Sequence, residues 1–268
     1  MKELIIRLFP NSMLQAIQDL LYRRKQLFSS PLITKYPGDD ASVLQCCIAY
    51  NKYGGYCLPW SSVHRPAAQT ILSGEVWEPK TIEIITKNCG TGDIIHAGTY
   101  FGDFLPAISR ACSSHAKVWA FEPHPENYRC SVITININRL DNVEIANAGL
   151  GFQEGSMSML ITDRIGRALG GGSKLIKSDS QSQGQSVRVK VLRIDDVISS
   201  DRNISIIQLD VEGFEQQALA GAMETIRRCK PMLILESLPD EDWLSANLFT
   251  LGYKVKGKVH INSVLSVA

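Results

Sequence analysis

From residue 93 to residue 235 the chain alternates short apolar runs with helical stretches, and no other feature constrains its fold as strongly. The apolar runs are "DIIHAG", "KVWAFEP", "NVEIANAG", "ISIIQLDVEG" and "PMLILES". The helical runs among them are "DFLPAISRACSS", "PENYRCSVITININRL" and "FEQQALAGAMETIRRC". Strands separated by such helices cannot pair as hairpins, so they predict a parallel sheet covered on both faces. Nearly unbroken apolar strands are what burial on two sides requires. The tail "GYKVKGKVHINSVLSVA" alternates in two short runs and predicts an antiparallel strand pair closing the sheet. The expected class is α/β, with a Rossmann-like, mostly parallel sheet.

The pattern before this region is looser. Residues 11–28 place Met13, Leu14, Ile17, Leu20 and Leu21 at helical spacing. The stretch to about residue 66 is rich in Gly, Pro, Tyr and Ser and predicts irregular structure with short strands. "AAQTILSGEVWEPKTIEIITKN" predicts a helix, a turn and a second helix. The chain therefore divides into an N-terminal helical and irregular extension, 1–76, and a main domain, 77–268. Within the latter, residues 163–186 carry three successive glycines followed by a Ser/Gln-rich run. They predict a mobile hairpin or loop that buries little, either a surface insertion or a lid.

Composition narrows the partners. A net charge of +1 gives no global reason to expect nucleic acid or an acidic membrane. No apolar run reaches the roughly 20 residues of a membrane span. The seven cysteines include no CxxC pair, which fits reduced thiols and a cytoplasmic location.

"DIIHAGTYFGDF" reads as a strand running into a glycine turn. Backbone N–H groups at a helix N-terminus are commonly unpaired and receive a polar or anionic group, and Gly98 and Gly102 would let a ligand approach. Their spacing is not the GxGxxG of dinucleotide enzymes. Glu122, ending the second strand before Pro123, stands where an acid binds ribose hydroxyls in doubly wound folds. An adenosine-containing cofactor follows, and the looser turn favours S-adenosylmethionine (SAM) over NAD. An NAD(P)-dependent oxidoreductase and a non-catalytic adenosyl-ligand-binding module are the alternatives.

Several longer stretches sharpen this reading. "FEPHPENY" with Asn138, "NVEIANAGLG", "VLRIDDVI", "IIQLDVEGFEQQALAGAMETI" and "KPMLILES" with Glu236 resemble the FkbM family of methyltransferases, class I enzymes using SAM. The resemblance runs from about residue 77 onward. It implies that Gly98 to Gly102 wrap the methionine end, Glu122 holds the ribose and Ala148 borders the adenine. His96, Thr99, Tyr100, Asp103, Pro123 and Asn127 complete the implied cofactor site. The chain departs from the family at His96, where an acid is usual, at Thr99–Tyr100, where Ala-Asn is frequent, and at Gln208, where lysine is common. Both glycines remain, so the turn is expected to work with altered polar contacts.

Methyl transfer to oxygen needs an acceptor hydroxyl held against the methyl and relieved of its proton. Asp210, ending the fourth strand, is the candidate base or acceptor-orienting group, with Glu212 beside it. The same pair would suit a divalent cation, with histidines 64, 96 and 260 as further ligands; base and metal stay open. Asp195 and Asp196 read as helix caps before catalysis. Glu78 is either folded over the cofactor or solvated. Tyr50, Tyr53, Tyr56 and Trp60 either wall a sugar site or pack an irregular segment. By resemblance the acceptor is a hydroxyl of a sugar, a glycan or a small natural product. A homodimer through the N-terminal helices is the expected assembly.

Overall fold

The protein's structure, a computed structural model, describes residues 43–176 and 184–267. The helical pattern of residues 11–28, and the dimer contact expected of it, lie outside them. The first described elements are strands β1 (Cys46–Asn51) and β2 (Gly54–Pro59), which pair antiparallel. Helices α1 (Pro66–Leu72) and α2 (Pro79–Asn88) follow. Each starts with proline at its first position, where the missing N–H costs nothing and the ring presets φ.

The expected alternation then appears: β3 (Asp93–Ala97), α3 (Leu105–Ala111), β4 (Val118–Phe121), α4 (Pro125–Asn138) and β5 (Val143–Ala146). After β6 (Gly149–Leu150), β7 (Gly155–Leu160), β8 (Lys174–Ile176), β9 (Ser186–Leu192) and α5 (Ile194–Val197), it resumes with β10 (Ile204–Leu209). Helices α6 (Glu215–Ala220) and α7 (Met223–Cys229), strand β11 (Met232–Leu235) and helix α8 (Glu241–Asn247) lead to the hairpin of β12 (Tyr253–Val259) and β13 (Asn262–Val267).

Seven strands form the main sheet in the order β12-β13-β11-β10-β3-β4-β5. β11, β10, β3, β4 and β5 are mutually parallel, and the β12–β13 hairpin joins antiparallel to β11. This is the Rossmann-like class I arrangement with the antiparallel pair where the tail pattern put it.

Strand alternation sorts the core into two faces. Ile95, Ala97, Ile207, Leu209, Leu233 and Leu235 pack with α6 and α7 residues such as Leu219 and Ile226. Ile94, Val118, Ala120, Ile206 and Ile234 pack against Ile82 and Ile85 of α2 and Leu105 and Ile108 of α3. The β1–β2 hairpin is tied to α4 by two side chains: Thr134 Oγ1 accepts the Cys57 N–H at 3.0 Å, and Asn138 Nδ2 donates to the Gly55 carbonyl at 2.6 Å. Among the described residues no helix is long and apolar enough to cross a membrane.

The structure corrects the reading of this loop over its described residues 163–176. Strand β8 lies inside that stretch and joins β6, β7 and β9 in a separate four-stranded sheet. Ala168, Gly170 and Ser173 are buried, so the segment covers something. Low hydrophobicity concealed this, because the buried positions are small, Ala168, Gly170 and Ser173, and add little to an apolar pattern.

Candidate active site

In a parallel sheet every strand delivers its last residues to the same edge, and here that edge collects the candidates. Gly98 follows β3, Glu122 follows β4, Ala148 lies just beyond β5, Asp210 follows β10 and Glu236 follows β11.

Gly98 has φ +82°. A Cβ there would lie 1.8 Å from the Asp210 carbonyl oxygen. The close approach of the residue after β10 is thus enough to require glycine here. The turn's N–H groups are also engaged, against expectation. Those of Gly98 and Thr99 donate to the Phe121 carbonyl at 3.1 and 3.3 Å, and that of Gly102 to the Thr99 carbonyl at 2.8 Å. The Tyr100 N–H donates to Glu122 Oε2 at 2.7 Å.

Two adjoining clefts open at this edge and share Gly98, Gly171 and Asp210. The first, about 450 Å³ with the solvent at its mouth, is mainly apolar: Phe121, Pro123, Ala148, Leu150, Met159, Leu175 and Val211 line it, with Glu122 and, at the shared end, Asp210 as its acids. The second, about 670 Å³, is polar and lined by Arg65, Trp77, Glu78, Tyr100, Asp103, Glu212 and Glu236. Gly171 and the short turn Gly170–Gly172 cover both, with a Cβ on Gly171 falling 3.3 Å from the Tyr100 ring. Glu78, Tyr100 and Glu212 around the second cleft all hold positive φ, at 44°, 52° and 55°. Left-handed non-glycine residues cost energy and collect where a site demands particular directions of its side chains.

Glu122 is buried, with Oε1 accepting the His124 N–H at 2.8 Å and Oε2 that of Tyr100. A carboxylate offers about four lone-pair positions, so acceptor capacity remains toward the cleft. Burial pushes its pKa up to about 8 against those two donors. Burial and the neighbouring Glu78 push Asp103 up to about 7. Asp210, Glu212 and Glu236 bring carboxylate oxygens within 4.8 Å of one another. Asp210 is raised well above the ordinary carboxylate range, first by burial and then by Glu236, with which it shares a hydrogen bond. Burial and Glu236 raise Glu212 as well.

Of the sequence candidates, Gly98, Tyr100, Asp103, Glu122, Pro123, Ala148, Asp210 and Glu212 border the clefts. His96, Thr99, Gly102 and Asn127 are not among the lining residues. Thr99 bonds the His96 and Phe121 carbonyls, and Asn127 donates to the Gly170 carbonyl at 3.4 Å, tying the covering turn down. His96 is buried beside Gln208, its partner in the β3–β10 register, with Nδ1 bonded to Gln208 Oε1 and its ring stacked on Phe104 at 5.4 Å. Its Nε2 has no partner among the described residues, and burial lowers its pKa to about 4.

Glu236, Arg65, Trp77 and the covering glycines were not singled out from sequence as site residues. Glu236 had a signal, since it ends an apolar strand exactly as Asp210 does. Glu78 sits in the cleft, its Oε2 accepting from Thr81 and Asn262 at 2.7 and 2.9 Å. Asp195 is a cap, but of α7: its carboxylate accepts the N–H groups of Glu224 and Thr225. Tyr56 is fully buried in the core and Tyr53 packs against it, while Tyr50 is 67% exposed; none of the four aromatics of the hairpin region lines either cleft.

A pH test follows from these carboxyls. Folded Glu122 and Asp103 keep protons that the unfolded chain releases near its ordinary carboxylate values, so their contribution to stability falls as pH rises toward about 8. His96 and His124, both lowered to about 4 by burial, act oppositely, but their gain is already fading at about pH 6.5, where half of the unfolded chain's imidazoles have lost their protons. From pH 6.5 to 8.5 the thermal midpoint of the ligand-free protein should therefore fall. The slope approaches about 1.4 kcal/mol per pH unit for each retained proton. Melting curves across that range check this, and a midpoint that rose would contradict it.

The chain's similarity to known proteins agrees with this geometry. The profile of the methyltransferase FkbM domain matches residues 96–254, more than half of the chain. No curated protein matches it. Among solved structures, a methyltransferase FkbM from Methylobacillus flagellatus KT is 16% identical over 77% of this chain and 52% of its own, with a TM-score of 0.45. The chain thus spans about half the length of that protein. A SAM-dependent methyltransferase from Aquifex aeolicus is 14% identical, covering 75% of this chain and 92% of its own, with a TM-score of 0.39. A methyltransferase from Geobacter sulfurreducens is 15% identical, covering 71% and 80%, with a TM-score of 0.41. By the extent of the profile match, this chain belongs to the FkbM family of methyltransferases.

Proposed function

We propose that the protein is a SAM-dependent O-methyltransferase acting on a hydroxyl of a sugar, a glycan or a small natural product. The observation that carries this reading is the junction of the two clefts. An apolar slot with one buried acid meets a carboxylate-rich chamber at Gly98, Gly171 and Asp210. The apolar slot fits an adenosine, with Glu122 accepting from its ribose and Ala148 and Leu150 bordering the base. When bound, SAM supplies an electrophilic methyl group.

The chain's own residues do the rest. Asp210, at the junction, accepts the acceptor hydroxyl's proton or orients that hydroxyl. Its raised pKa, held up by burial and Glu236, makes it a stronger base than an exposed carboxylate. Gly170–Gly172, Tyr100 and Trp77 restrict water at the chamber. A divalent cation is the second reading, favoured by the convergence of Asp210, Glu212 and Glu236. Those three would hold it, and it would lower the pKa of a bound hydroxyl.

Calorimetric titration with S-adenosylhomocysteine and with NAD tests the proposal. Micromolar binding of the first without the second is the expected result. Binding of NAD alone would return the oxidoreductase, and binding of neither would remove the cofactor assignment. A dependence on added magnesium in the transfer assay would select the cation reading over the free base.

A further inference from the structure

The polar cleft contains one cationic side chain, and it comes from outside the segment that matches the family. Arg65 precedes α1, and Glu78, Asp103, Asp210, Glu212 and Glu236 share the lining with it. Among the described residues no salt bridge involves Arg65. It is half-buried, and the covering turn is shaped around it. A Cβ on Gly170 would lie 3.1 Å from Arg65 Cγ, and one on Gly172 would lie 2.8 Å from Arg65 Nη2.

We propose that Arg65 grips the carboxylate of the cofactor's methionine end. The inference rests on the SAM reading above. With adenosine in the apolar slot, the amino-acid end enters the polar chamber, since the clefts meet at Gly98, Gly171 and Asp210. That end carries an ammonium and a carboxylate. The ammonium finds carboxylates on several sides. The carboxylate meets acidic side chains on every side but that of Arg65.

The glycine turn offers no substitute. The N–H groups of Gly98, Thr99, Tyr100 and Gly102 are spent on Phe121, Glu122 and Thr99, and that of Phe104 on Asp103 Oδ1 at 3.1 Å. A carboxylate placed among five acids without a cation would meet a Coulombic cost that a neutral N–H donor offsets less well than a guanidinium. A guanidinium accepts a carboxylate on two parallel N–H groups and stays charged at any working pH. Gly170 and Gly172 then acquire a reason: the first leaves room for the Arg65 stem and the second for its head group.

The test compares two ligands on two proteins by calorimetry. S-adenosylhomocysteine has the amino-acid end; 5′-methylthioadenosine lacks it. Arg65→Met, which keeps much of the aliphatic stem, should weaken the first by about 10–100-fold, the usual worth of a charge-assisted bond, and leave the second unchanged. Unchanged affinity for both would overturn the proposal and move Arg65 to the acceptor side. Equal weakening of both would also overturn it, showing a merely structural role. Failure of wild-type protein to bind either ligand is a separate result, which removes the SAM reading itself. Arg65→Lys keeps the charge without the fork, so it should recover only part of the lost affinity.

Discussion

Replacing His96 by Asp should lower the thermal midpoint by about 6–20 °C, and Gln208→Lys should do the same, while the double variant recovers most of the loss. The two side chains are register partners on adjacent parallel strands, both nearly sealed from solvent and bonded to each other. They sit in the face otherwise made of Ile94, Val118, Ala120, Ile206 and Ile234. Burial keeps His96 neutral, so the pair carries no charge. Either single change buries one charge against a neutral partner, at about 3–5 kcal/mol, and for a domain of this size each kcal/mol moves the midpoint about 2–4 °C. The double change restores neutrality as an ion pair. A double-mutant cycle by thermal and denaturant melts measures the coupling, and strictly additive losses would show that the two positions act independently. Because His96 is not among the cleft residues, S-adenosylhomocysteine affinity of the double variant should stay within about threefold of wild type.

Asp210→Asn has an opposite signature. It keeps the shape and a hydrogen bond to Glu236 while removing one of three converging carboxylates. Relief of like-charge crowding should raise the thermal midpoint by a few degrees, since active sites commonly hold charge at the expense of stability. Transfer should nonetheless fall by about 10²–10⁴-fold, the usual worth of a positioned proton acceptor. The measurements are melting curves, S-adenosylhomocysteine titration and transfer of labelled methyl into a panel of hydroxyl acceptors. Retained transfer would remove Asp210 from the chemistry. Lost stability together with lost ligand binding would make it a structural residue.

The main sheet was readable because period and length act together. Runs such as "ISIIQL" are too short and too apolar for a surface helix, and the gaps between them are too long for hairpins. Strand-end acids were readable for the same reason: once strands are placed, Glu122 and Asp210 fall at the same edge. The four-stranded sheet was not, since "GSMSML" and "SVRVKVL" are half-polar and one face of that sheet is solvated. His96 shows a different limit. Position relative to a glycine says which strand end a residue occupies, but not which face it points to, and the face decided between ligand contact and core. Arg65 was out of reach because it arrives from a segment distant in sequence, brought in by the packing of β2 on α4.

The hairpin that completes the main sheet ends in an edge strand, β12, whose Lys254, Lys256 and Lys258 are all exposed and whose register shifts beside Gly257. An open strand edge is a template for intermolecular pairing, and a row of ammonium groups with an irregular ladder opposes it. A second molecule aligning there would set lysine against lysine and lose its pairing at the irregularity. Among the described residues, strand addition between copies is therefore disfavoured at this border.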